Sequence, residues 1–123
     1  MKFAKLALFL IFLFCAFAGY SFITNGFPFF VDSKTSLVVA HMYGISYLFQ
    51  ALVCLIAIGA PVKTMRLLLL ALFLFHGGLI VYFVHFGDLT PEIHAQLNAS
   101  VIGHGAVAFL AILGALLVRN PKK

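Results

Sequence analysis

The acidic and basic residues of this chain lie on opposite sides of four apolar segments, and that segregation constrains the fold more than any single motif. Lys2, Lys5, Lys63, Arg66, Arg119, Lys122 and Lys123 fall in the tails and in the one connection that would share a side with them. Asp32, Asp88 and Glu92, with Lys34 the one base among them, fall in the two connections on the other side. Basic loops are retained on the cytoplasmic face of a membrane. The pattern therefore predicts an all-α integral membrane protein, a four-transmembrane-helix antiparallel bundle with both termini cytoplasmic.

The whole chain, 1–123, reads as a single membrane domain with spans at about 3–23, 37–59, 67–86 and 95–118. Charged residues make up 9% of it and hydrophobic ones 64%, whereas a soluble domain carries about a quarter charged residues. Four spans of roughly 20 residues use most of the length, which leaves no room for an extramembrane domain. The formal charge of +5 does not point to nucleic acid. The bases sit beside helix ends, where topology and anionic headgroups account for them, and no basic stripe with interleaved stacking groups is present.

The connections carry their own signals. Asn25-Gly26 reads as a turn, followed by Phe27-Pro28-Phe29-Phe30, whose proline interrupts a helix and whose aromatics suit the interfacial zone. Gly87 fits a helix terminator, and Thr90-Pro91-Glu92 reads as N-cap, first-turn proline and first-turn acid. The link after Ala60-Pro61 is so short that the second and third spans are expected to form an antiparallel hairpin. At the amino terminus Lys2, Lys5, the apolar run to Cys15 and Ala16-Phe17-Ala18 also match a secretory signal peptide. The apolar character continues through Phe22 and Ile23, which favours an uncleaved span. Cys15 and Cys54 should lie roughly 12 Å and 25 Å below the outer surface, too far apart in depth for a disulfide, and read as small apolar packers.

Without water to drive helices together, membrane bundles associate through small and polar residues, whose positions at 100° per residue mark the inward face. In the fourth span Gln96, Ser100, Gly103, His104, Val107, Ala111, Gly114 and Ala115 share one side, and Ile102, Phe109, Leu113 and Leu116 the other. The second span has a stripe of Tyr43, Ser46, Tyr47, Gln50 and Cys54, with His41 on the opposite side. The third is ambiguous: Ala71, Gly78, Tyr82 and His85 form one side and His76 points nearly the other way. Tyr47, Gln50, Ser100 and His104 are the expected polar lining of the bundle.

Five histidines in so apolar a chain are the candidates for chemistry, since ionisable residues inside a membrane are rare and costly. His76 and His104 fall at equal depth, roughly 15 Å below the outer surface on adjacent antiparallel spans. Equal depth is what axial ligation of haem b requires, and Gly77-Gly78, Gly103 and Gly105 would leave space for a porphyrin. Against it, the small side of the third span turns His76 away, and no arginine lies at the outer side to pair with propionates. The competing reading is hydrogen bonding within the bundle, with His104 paired to Gln50 or Ser100. His41, His85 and His94 near Asp88 and Glu92 do not form a compact metal-ligand motif, and no metal site is expected. No paired buried carboxylates, nucleophile elbow or phosphate loop is present.

The expectation is a small non-enzymatic protein of a bacterial cytoplasmic (inner) membrane. It would act as a subunit or accessory or assembly factor of a larger membrane system, in contact with the lipid bilayer and with other subunits or copies of itself. The alternatives are a haem b-binding anchor of an electron-transfer complex using His76 and His104, and a small transporter with Tyr47, Gln50 and His104 along its path. If His76 faces inward, the side bearing Ala71, Gly78 and Tyr82 becomes the contact surface.

Overall fold

The computed structural model describes residues 2–25, 34–86 and 91–118. They form four helices: α1 (Lys2–Asn25), α2 (Lys34–Ala57), α3 (Val62–Phe86) and α4 (Pro91–Leu117). Three carry segments long and apolar enough to cross a membrane: Lys2–Thr24, Val38–Ala57 and Val62–Tyr82. The apolar stretch of α4, Val101–Leu117, is shorter among the described residues. Gly26 to Ser33, Gly87 to Thr90 and the residues after Val118 lie outside the description, as do the Pro28 loop and the expected Thr90 cap.

The α2–α3 link shows why the third helix starts at Val62 rather than near Leu67. α2 ends in tightened turns, with Gly59 N–H donating to the Ile56 carbonyl at 3.2 Å and Ala60 N–H to the Ala57 carbonyl at 3.0 Å. Pro61 has no N–H to extend that helix. Its carbonyl accepts from Met65 N–H at 3.0 Å and so opens α3. The added turn carries Lys63 and Arg66, both exposed, so a search for apolar runs passes over it.

The helices are arranged in the order α2–α1–α4–α3. Close packing runs between α1 and α2, between α3 and α4, and between α1 and α4. Glycines set the closest approaches. A β-carbon at Gly19 would lie 2.9 Å from the Gly44 carbonyl oxygen, and one at Gly114 would lie 3.0 Å from the Ala7 β-carbon and 3.1 Å from Leu69 Cδ1. In a lipid-facing bundle such contacts supply dispersion energy that the hydrophobic effect does not. The core they enclose contains Leu8, Ile11, Met65, Leu69 and Val107, with Cys15 and Cys54 as buried free thiols.

The inward face of α4 is the expected one. His104, Val107, Ala111, Gly114 and Ala115 are buried, Ile102, Phe109 and Leu116 are exposed, and Gly103 of the inward set and Leu113 of the outward set are both half-buried. Gln96 and Ser100 have no described side chains. On α2 the buried positions among the described side chains are Ala40, Gly44, Tyr47, Ala51, Cys54 and Ala57, whereas Tyr43 and Ser46 of the expected stripe are exposed and Gln50 is half-buried. On α3 the ambiguity resolves toward the histidine. Met65, Leu69, Leu72 and His76 face the core, and Ala71, Gly78, Tyr82 and His85 face out.

One packing expectation needs correction. The short link does join antiparallel helices, but α2 and α3 barely touch along their lengths. They splay, and between them lies an open-sided groove of about 560 Å³.

Candidate functional site

Gln50 sits on the groove side of α2 and His76 on the inward side of α3, which places their polar groups at the same level. His76 Nε2 lies 3.0 Å from Gln50 Oε1. A carbonyl oxygen only accepts, so His76 Nε2 carries the hydrogen and donates to it. A neutral imidazole has one N–H, and His76 Nδ1 is then an acceptor. His104 Nδ1 lies 2.8 Å from it and donates. The Tyr47 hydroxyl lies 3.4 Å from His104 Nε2 and 3.5 Å from its Nδ1; Nδ1 is committed to His76, so Nε2 is the acceptor, at the longest and weakest step.

The result is a directed chain, Tyr47 to His104 to His76 to Gln50. His76 is 0% exposed, His104 6% and Tyr47 8%. No buried side-chain nitrogen or oxygen among the described residues lacks a partner. That is the condition for keeping two imidazoles in an apolar bundle, where an unpaired polar group costs far more than in water.

Aromatic rings hold the chain in place. Phe22 of α1 stacks on Tyr47 with centroids 5.8 Å apart and planes 8° apart. Phe14 meets Tyr47 edge-on at 6.4 Å, and Tyr47 stacks on His104 at 6.2 Å. At the other end Phe75 meets the His76 ring edge-on at 5.2 Å. The α4 histidine is thus packed against rings of α2 and α3, and its partner Tyr47 against rings of α1.

Sequence reasoning brought His76 and His104 to one depth, and the structure puts them in direct contact. It paired Gln50 with the wrong imidazole: the amide binds His76, and His104 is held by His76 and Tyr47. The reason is rotational, since His76 faces inward between the other two. Ser100, the other expected partner of His104, has no described side chain. The framing by Phe14, Phe22 and Phe75 went unread, although each stands next to a buried residue with a polar or sulfur-bearing side chain, Cys15, Ser21 or His76.

Haem ligation does not fit this geometry. Two imidazoles on opposite faces of one iron would hold their ligating nitrogens roughly 4 Å apart, twice a metal–imidazole bond of about 2 Å. The facing nitrogens are 2.8 Å apart, with ring centroids separated by 5.0 Å and no slot for a macrocycle. Away from this chain of hydrogen bonds His41 is half-buried and His85 exposed, while Asp88, Glu92 and His94 lie outside the described side chains. No group of three or more potential metal ligands occurs among the described residues.

Gln50 belongs to the chain and also to the wall of the α2–α3 groove. The rest of that wall is almost wholly apolar, with Phe49 and Val53 of α2 facing Leu68, Leu72 and Phe75 of α3. Ser46, the other polar side chain of the wall, donates to its own helix through the Met42 carbonyl at 3.0 Å. No family model, curated protein or solved structure matches the chain.

Proposed function

We propose that this is a four-span integral membrane protein of a bacterial cytoplasmic membrane, with both termini inside, working as a non-enzymatic subunit or accessory factor of a larger membrane assembly. The charge segregation supports the orientation, and the antiparallel packing of α4 against α1 and α3 supports a fourth span. The partner is another membrane protein or a second copy of the chain.

One observation carries the reading. Gly19, Gly44 and Gly114 each have a neighbour filling the space above the backbone, whereas at Gly77 and Gly78 a β-carbon would meet nothing within 4 Å among the described residues. Gly78 lies on the outward side of α3 with Ala71 and Tyr82, a surface on which a further helix can approach closely. The test is Gly78→Leu in a tagged chain extracted in mild detergent. Wild type should migrate as a complex, and the variant should insert normally but migrate alone. A wild-type monomer, or a complex untouched by the substitution, removes the reading.

A second reading, a small transporter, is favoured by the buried chain of Tyr47, His104, His76 and Gln50. It requires ion-dependent flux in reconstituted vesicles that falls on Gln50→Ala.

A further inference from the structure

We propose that the groove between α2 and α3 binds a neutral, flat, lipid-soluble carbonyl compound of the quinone class, with Gln50 as the residue that holds its carbonyl. The inference rests on the bundle lying in a bilayer, and not on any protein partner.

Four observations converge on that occupant. The groove opens sideways: Ile45, Phe49 and Phe75 line it and are themselves exposed apolar side chains. Its ligand therefore arrives from the hydrocarbon and not from water. Its volume of about 560 Å³ lies within the range of roughly 300–1,000 Å³ typical of small-molecule sites. It would take a substituted ring with the first part of a prenyl tail.

The polarity of the wall selects the head group. Gln50 Oε1 accepts from His76, and this is the only hydrogen bond of the Gln50 side chain among the described residues. Its amide N–H groups remain as donors at a level where lipid offers no acceptor, a costly arrangement that an incoming carbonyl oxygen relieves. No charged side chain among the described residues lines the groove, and a phosphate or carboxylate would be stranded there without a counter-charge. The head is therefore uncharged and accepts hydrogen bonds.

Shape completes the argument. Phe49 and Phe75 line the groove from its two helices, and flat aromatic walls favour a flat ring over a flexible acyl chain. Behind Gln50 the His76 imidazole already donates to the amide oxygen, which polarises the amide and strengthens its N–H groups as donors.

The test is equilibrium binding of decylubiquinone to the purified full chain in lipid nanodiscs, against empty nanodiscs. Saturable binding is expected, weakened roughly tenfold or more by Gln50→Leu, which removes a buried hydrogen bond to the ligand. Ser46→Trp fills the groove from an exposed position, leaves the core untouched and should abolish binding. Phe109→Ala, on an exposed face of α4, should leave it unchanged. The proposal is overturned by binding no greater than to empty nanodiscs, or by binding that survives both Gln50→Leu and Ser46→Trp. Incorporation of each variant into nanodiscs, checked separately, keeps a failure of membrane insertion apart from a failure of the site.

Discussion

Gly19 and Gly44 meet across the α1–α2 contact with their backbones against each other: a β-carbon on either one would stand 2.9 Å from the other's carbonyl oxygen. On the Gly44 side the same β-carbon would also be 2.7 Å from Ile23 Cγ1. The two helices are as close here as their main chains permit, and the closeness depends on two missing methyl groups.

Gly44→Ala should therefore push α1 from α2 and destabilise the bundle by about 1–3 kcal/mol, the usual cost of overpacking. Gly77→Ala adds the same methyl group where nothing lies within 4 Å. It should be neutral or stabilise by roughly 0.5–1 kcal/mol through helix propensity. Unfolding of both variants in mixed micelles with increasing SDS gives the comparison. Equal losses would show that the α1–α2 approach is looser than described.

The histidine pair should behave as one unit. His76→Leu leaves Gln50 and His104 without the partner they share, at a cost of about 1–3 kcal/mol. His104→Leu strands His76 in the same way. The double substitution should cost less than the sum, with a coupling of about 0.6 kcal/mol and at most about 1.7 kcal/mol, the mean and the maximum for hydrogen bonds between membrane helices. Losses that simply add in the same SDS titration would mean that the two rings do not bond to each other.

Thiol labelling reads the orientation directly. Cys15 and Cys54 are both 0% exposed and should stay unreacted with a membrane-impermeant maleimide in folded protein. Lys63→Cys and His85→Cys place thiols at exposed positions at opposite ends of α3. The first should react only in inverted vesicles and the second only in intact spheroplasts. The opposite pattern would turn the bundle over, and reaction of the native thiols would argue against the packing of α1 on α2.

How far the sequence could be read depended on where the deciding information lay. α4 was legible from its own residues, because its small and polar positions and its bulky ones separate cleanly around one helix. α3 was not. Ala71 and Gly78 mark one face and His76 the other, and the choice between them is made by His104 and Gln50 on other helices. The histidine depths followed from counting residues, but the partners did not, since a count gives level and not rotation. The groove was hidden for a related reason. A link from Ile58 to Pro61 implies neighbouring helices, while α2 is drawn to α1 by Gly19 and Gly44, and α3 to α4 by contacts such as Leu69 on Gly114.

The splay of α2 from α3 gives the bundle two kinds of seam. Between α1 and α2 cohesion comes from main chains in van der Waals contact, which water cannot replace. Between α2 and α3, over the middle of the helices, it comes chiefly from the bond of His76 to Gln50. A hydrogen bond is strong when dry and competes poorly with water once water is admitted. The first seam is held by fit and the second by dryness, so α2 and α3 stay joined across their groove only while water is kept from the bond between Gln50 and His76.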